Sequence, residues 1–243
     1  AWATRQVYLA HFAVTDVQAQ QYHDAERIDR AALGLAGAQG GPYKVWLEDW
    51  SAQGESAQGL PMQLRAATQD MAIDLRLNSL KPVVLQGDRG LSRKGSRPGN
   101  ASYYYSLTRL ASRGTLRIGA HTYTVSGLSW MDREWSTSAL EPEQSGWDWF
   151  ALQLSDGREL MYYRLRRKDG ASDPHSGGVL VGKDGGTEHI APDQIKIAVT
   201  GHWQSPRSGA EYPSGGRIML PQQDLRLEVT PYVKDQELSG RLR

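Results

Sequence analysis

The sequence predicts an all-β protein built from antiparallel strands. Three observations carry that reading. Apolar and polar residues alternate with period two in segment after segment. Asp-Gly pairs fall between these segments at hairpin spacing. The aromatic complement is 8 Trp and 11 Tyr against 2 Phe, a mixture that suits sheets and pocket linings better than a dry helical core.

Taken from the N-terminus, Val7-Tyr8-Leu9-Ala10-His11-Phe12 alternates as a strand with one wet face. Asp24 to Leu35 predicts the one short helix: it is rich in Ala, Glu and Arg, Ile28, Ala31, Ala32 and Leu35 recur at i, i+3, i+4 and i+7, and Gly37 supplies a stop. Met71 to Asn78 returns to alternation, with Met71, Ile73, Leu75 and Leu77 on one face and Asp74, Arg76 and Asn78 on the other. Gly87 to Asn100 collects Gly, Arg, Lys, Ser and Pro without periodicity. It reads as a long mobile loop, either a lid over a pocket or a disordered segment.

Asp156-Gly157 then separates Trp149–Leu154 from Glu159–Leu165, and Asp169-Gly170 and Asp184-Gly185 repeat the signal. Asp-Gly predicts tight hairpins with positive φ at both central residues, hence a meander. Ile195–Val199 and Leu225–Val229 alternate again. Turn formers between Lys168 and Ser176 suggest a division into residues 1–168 and 169–243.

Lys+Arg 28 against Asp+Glu 27 leaves a net charge of +1, so nothing points to nucleic acid or an anionic membrane as partner. Arg164, Arg166, Arg167 and Lys168 read as solvated hairpin ends. With no cysteine, disulfides, thiolate metal sites and a Cys nucleophile are excluded. No stretch approaches the roughly 18 apolar residues of a membrane helix. The six His lack metal-ligand spacing, and neither a Gly-x-Ser-x-Gly elbow nor a phosphate loop is present. Neither a metal nor a cofactor is therefore expected.

Three Trp-rich or Tyr-rich motifs stand in order: Ser102-Tyr103-Tyr104-Tyr105-Ser106, Val125-Ser126-Gly127-Leu128-Ser129-Trp130-Met131-Asp132-Arg133-Glu134-Trp135-Ser136, and Gly146-Trp147-Asp148-Trp149-Phe150. They resemble the AttH-like branch of the carotenoid 1,2-hydratase (CrtC) family. Trp203-Gln204-Ser205, Tyr212-Pro213-Ser214 and Leu220-Pro221 are similar to that family's second domain. The resemblance implies two consecutive lipocalin-like β-barrel domains able to hold a small apolar ligand, in an exported setting, periplasmic or secreted. A membrane-associated transport system is a further expected partner. Family members begin with a Trp-Trp-Tyr strand not found here and continue past Arg243, so both ends look truncated.

If Trp130–Trp135 is extended, Trp130, Asp132 and Glu134 share one face and Met131, Arg133 and Trp135 the other. Arg133, if inward, calls for a carboxylate partner such as Asp132 or Asp148. In hydratases of the resembled family a His and a Trp two residues apart, then a Tyr and an Asp on a later strand, protonate an isoprenoid alkene and let water capture the cation. Trp135 matches the Trp and Tyr162 the Tyr, but Arg133 stands for the His and Arg164 for the Asp. An arginine has almost no acidity to lend at neutral pH.

The catalytic candidates are thus Asp132, Arg133, Glu134, Trp135 and Tyr162. The ligand-lining candidates are Tyr103, Tyr104, Tyr105, Trp130, Trp147, Trp149 and Tyr163, expected to converge on one pocket. Two functions follow: a carrier of an isoprenoid, polyketide or lipid-like molecule, or an enzyme hydrating or cyclising one.

Overall fold

A computed structural model describes residues 6–56, 59–136, 140–238 and 240. It is all-β and lipocalin-like, with twenty strands among the described residues. A leading hairpin pairs β1 (Val7–Asp16) with β2 (Gln21–Arg30). Next come β3 (Ala36–Gly40), β4 (Tyr43–Leu47), β5 (Trp50–Gly54), β6 (Met62–Ala67), β7 (Met71–Ser79), β8 (Val84–Leu85), β9 (Leu91–Arg93), β10 (Ala101–Ile118) and β11 (His121–Ser136). These nine form one antiparallel sheet in the order β11-β10-β7-β6-β5-β4-β3, with β8 and β9 also paired to β10. A second sheet runs β12 (Gln144–Gln153), β13 (Glu159–Arg167), β14 (Gly177–Val181), β15 (Thr187–Ile190). The remainder are β16 (Lys196–Val199), β17 (His202–Gln204), β18 (Glu211–Pro213), β19 (Gly216–Leu220) and β20 (Leu225–Val229), with β16-β19-β20 as a third sheet and β17-β18 as a hairpin. β13 and β14, on either side of position 168, are hydrogen-bonded neighbours.

The nine-stranded sheet curls on itself. β11 and β4 stand five places apart, about 24 Å if the sheet were flat. Yet the Arg133 guanidinium of β11 lies 4.5 Å from the Tyr43 ring centre of β4. One face of β4, β6, β7, β10 and β11 therefore shares an interior, where Tyr43, Met62, Leu77, Leu107 and Leu110 are buried with Met131 against them. An extra residue bulges β10 between Leu107 and Leu110, which lets both leucines point inward and turns Arg109 outward. A second core lies between the β12–β15 sheet and β16-β19-β20, around Leu160, Tyr162, Ile190, Ile218 and Leu220.

Arg109 and Lys81 meet on Glu159, a fully buried carboxylate at the start of β13. Lys81 Nζ is 2.7 Å from Glu159 Oε2 and also donates to the Gly157 and Gly182 carbonyls at 2.6 Å. This cluster ties the first sheet to two hairpin turns of the second.

Three expectations are corrected. Asp24–Leu35 is not a helix: residues 21–30 are β2, paired along ten residues with β1. Intrinsic preference for helix is worth only tenths of a kcal/mol per residue and yields to tertiary pairing. Here Ala25 packs beside Phe12 and Trp50, and the Arg27 guanidinium lies 4.4 Å over the Trp50 ring.

The Asp-Gly turns are hairpin ends, but only their glycines take positive φ, at 86°, 84° and 87°. In each, the glycine N–H bonds three residues back, to Leu154, Arg167 or Gly182, the three-residue loop with a left-handed glycine. Finally, Arg164 and Arg166 are not merely solvated, since both reach Asp148, at 2.5 and 3.6 Å. The unpatterned stretch 87–100 holds β9, which runs along β10.

Near the C-terminus Glu237 is buried and accepts hydrogen bonds from Ser205, Ser208 and Tyr212. These bonds pull its pKa down from 4.5 to about 2. A depressed carboxyl contributes stability above its unfolded pKa and loses it as pH falls through the folded one. Docking of residues 230–238 is therefore expected to weaken between about pH 4.5 and 2. Hydrogen exchange read against pH should show that weakening abolished in Glu237→Gln.

Candidate functional site

Cross-strand pairing fixes which side chains share a face. Tyr103 opposes Trp135, Tyr104 opposes Glu134, Tyr105 opposes Arg133 and Ser106 opposes Asp132. Since successive residues point to opposite faces of the sheet, Tyr104, Ser106, Asp132 and Glu134 look outward toward the second sheet. Tyr105, Leu107, Met131 and Arg133 look into the curled interior.

The outward face packs on β13, where Tyr104, Met161, Tyr163 and Leu165 are buried together against Trp130. Beside this cluster a cavity of about 520 Å³ opens, walled by Tyr104, Tyr163, Leu140, Leu165, Trp147 and Trp149. Lys94 and Asn100, from the stretch after β9, close one side.

The polar fixture of this cavity is an ion pair. Lys94 Nζ lies 2.9 Å from Glu134 Oε1, 3.8 Å from the Tyr163 ring centre and 5.4 Å from that of Tyr104. Burial pushes the Lys94 pKa down, while Glu134 opposes the shift by its charge and hydrogen bond. The Ser102 hydroxyl also donates to Glu134 Oε1. Asp132 accepts from the Ser106 hydroxyl and, at 3.0 Å, from the Trp130 indole.

The Trp149 indole donates to the Tyr104 phenol at 3.2 Å. Burial, reinforced by the Asp132 carboxylate, pushes the Tyr104 pKa up. Burial likewise raises Tyr163, whose hydroxyl stands 3.0 Å from that of Ser92. Both phenols are thus held neutral and can donate a hydrogen bond. The Asn100 amide donates to Glu141 at 3.0 Å, and its buried carbonyl oxygen has no partner among the described residues.

A second cavity of about 720 Å³ lies inside the curled sheet, bordered by Tyr43, Val45, Met62, Leu64, Leu77 and the run Ser129–Trp135. Arg133 reaches into it between two rings, 4.5 Å from Tyr43 and 5.9 Å from Tyr105, donating to the Tyr105 hydroxyl at 3.2 Å. The expected carboxylate partner of Arg133 is not found among the described residues. Asp132 and Glu134 point to the other face, Asp148 is taken by Arg164 and Arg166, and aromatic faces stand around the cation instead.

The single expected pocket is therefore replaced by two cavities on opposite sides of β11. Tyr104, Glu134, Trp147, Trp149 and Tyr163 line the one between the sheets. Trp130, Asp132, Arg133, Glu134 and Trp135 border the inner one. Tyr105 stands at Arg133, whereas Tyr103 is exposed and tilts against Trp135 at 6.0 Å.

Tyr162 joins neither cavity: it is in the second core, where burial pushes its pKa up to about 12. The four residues matched to the hydratase set, Arg133, Trp135, Tyr162 and Arg164, therefore do not converge. Ser102, from the first Tyr-rich motif, also lines the cavity between the sheets, as do Lys94, Asn100 and Gln144, which no motif marks. Of these, Lys94 and Asn100 fall in the unpatterned stretch 87–100, their one signal.

Comparison with known proteins fits this geometry. A protein of Nitrosomonas europaea described as AttH superposes with a TM-score of 0.88 at 33% identity, over 99% of this chain and 73% of that one. Kievitone hydratase from Nectria haematococca superposes with a TM-score of 0.75 at 15% identity, over 96% of this chain and 69% of that one, a likeness of fold alone. No curated protein matches in sequence. The AttH-like family model matches residues 1–243, and the chain belongs to the AttH-like family.

Proposed function

We propose that this protein binds a small isoprenoid- or lipid-like molecule in the cavity between β10–β11 and β12–β13. The observation that carries the reading is the composition of that cavity: aromatic and aliphatic walls around one ion pair, the half-buried Lys94 with the more exposed Glu134. Apolar walls supply affinity and a few fixed polar groups orient the ligand. The Tyr104 and Tyr163 hydroxyls, the latter donating to the Arg93 carbonyl at 3.5 Å, add polar points to the wall.

Native mass spectrometry of gently purified protein, followed by titration with geranylgeraniol read through Trp fluorescence, tests it. A co-purified apolar molecule and saturable quenching are expected. Absence of both overturns the reading.

A second reading has its own support. Asp132 and Glu134 stand on the same outward face, and a protein of the same fold is a hydratase. In such an enzyme a carboxylic acid gives its proton to a ligand alkene, water's oxygen bonds the resulting tertiary cation, and water's proton returns to the carboxylate. The sum is alkene plus water to alcohol. Glu134 reaches the cavity, with Lys94 against it.

Incubation in isotopically labelled water checks for one added water in the product. Glu134→Gln is expected to lower turnover by roughly 10²–10⁴-fold while keeping ligand affinity. An unlabelled, unchanged ligand leaves the carrier reading alone. The family resemblance supports a periplasmic or secreted setting with delivery of the ligand to a membrane-associated transport system, which cell fractionation and crosslinking test.

A further inference from the structure

The cavity inside the curled sheet has a chemistry different from the one between the sheets. Its walls from β4, β6, β7 and β11 are Val45, Met62, Leu64, Leu77 and Met131. Into them projects one cationic side chain, Arg133, with no carboxylate within 4 Å among the described residues. The nearest acids along the chain are already engaged on the opposite face. Glu134 is held by Lys94 and Ser102, and Asp132 by Ser106 and Trp130.

A guanidinium has five N–H donors in a planar fork, and the hydrogen bond from Arg133 to the Tyr105 hydroxyl uses one of them. The Tyr43 face contributes cation–π attraction, which leaves the in-plane donors available. Arg133 is half-buried, and a cation with donors to spare at an apolar wall is completed by an anion.

We infer that the inner cavity binds a single-chain anionic amphiphile, a long-chain fatty acid, with its carboxylate on Arg133 and its alkyl chain against Val45, Met62, Leu64 and Leu77. A carboxylate fits because one planar fork can grip both its oxygens, whereas a phosphate dianion calls for more than one cation. The volume, about 720 Å³, lies within the range of cavities that enclose drug-sized ligands. At the mouth Trp135 and Tyr103 are 54% and 58% exposed, and their paired rings offer an apolar threshold for a lipid tail. This site is distinct from the isoprenoid cavity proposed above and stands or falls separately.

The test is calorimetric titration of the intact protein with oleate and with oleyl alcohol, which differ in the head group alone. Oleate is expected to bind one to one and at least about tenfold more tightly than the alcohol, with a preference that shrinks at high salt. Arg133→Leu should remove that preference while leaving the alcohol's affinity in place, and Arg133→Lys should restore part of it.

Trp147→Ala combined with Trp149→Ala, which strips the other cavity, should leave oleate binding unchanged. Equal affinity of acid and alcohol in the unaltered protein overturns the inference without recourse to any variant. So does oleate binding that survives Arg133→Leu but is lost with the two tryptophans, which would put the acid between the sheets. Geranylgeraniol binding that persists in Arg133→Leu separates the fate of this inference from that of the carrier reading.

Discussion

Replacing Glu159 by leucine is expected to destabilise the protein by about 3–5 kcal/mol, the usual consequence of removing one partner from a buried ion cluster. Glu159 has no solvent exposure, and Lys81 and Arg109 retain 7% and 15% of theirs. Deleting the carboxylate strands two cations that cannot return to water without opening the contact between the two sheets. Carbonyls at Gly157, Gly182, Leu154 and Arg158 would still accept from them, which keeps the loss from being larger.

For a chain of this size such a loss lowers Tm by on the order of 10 °C, measurable by calorimetry. Replacing all three residues by apolar ones of similar volume should recover most of it, because the desolvation cost then vanishes with the charges. A loss below about 1 kcal/mol in the single variant would mean that the cluster contributes no more than an exposed pair.

The second large effect concerns the ligand. Trp147 and Trp149 are 60% and 47% exposed and flank the cavity between the sheets. Covering roughly a third of each indole by a ligand removes about 60 Å² of apolar surface, worth about 1.5 kcal/mol per ring. Truncating both to alanine is therefore expected to weaken geranylgeraniol binding by about 100-fold. Thermal stability should change little by comparison, since neither ring belongs to a core; the main loss is the indole donor to Tyr104. Weakening of less than threefold would remove these rings from the binding surface.

Much of the fold was legible in local pattern, and the exceptions share physical causes. β7 announces itself because only one of its faces is apolar. β2 does not, because its Ala, Glu and Arg are intrinsic helix formers whose strand pairing is set by β1 and Trp50, partners distant in sequence. In the site, the two faces of Trp130–Trp135 follow from strand geometry. Which cavity each face meets depends on the curl of the sheet and on the bulge after Leu107, neither of which a local pattern encodes.

The placement of Tyr162 in the second core rather than at a cavity has the same kind of origin. Nearly every residue of β13 is buried on both faces, so no polar alternation marks the side turned to the cavity. Lys94 lies in a stretch with no periodicity at all, and only its approach to Glu134 distinguishes it from the other lysines of the chain.

β11 is a partition one residue thick between two chambers of opposite character. Glu134 borders both chambers, whereas Met131, Arg133 and Trp135 border the inner one alone. The inner chamber can therefore change its chemistry by point substitution at 131, 133 or 135 without altering the lining of its neighbour. A change of length has no such freedom. One residue inserted upstream of Trp130 would deliver the carboxylates to the inner chamber and the guanidinium to the outer one, inverting both at a stroke. This strand can diversify by replacement and is barred from doing so by insertion or deletion.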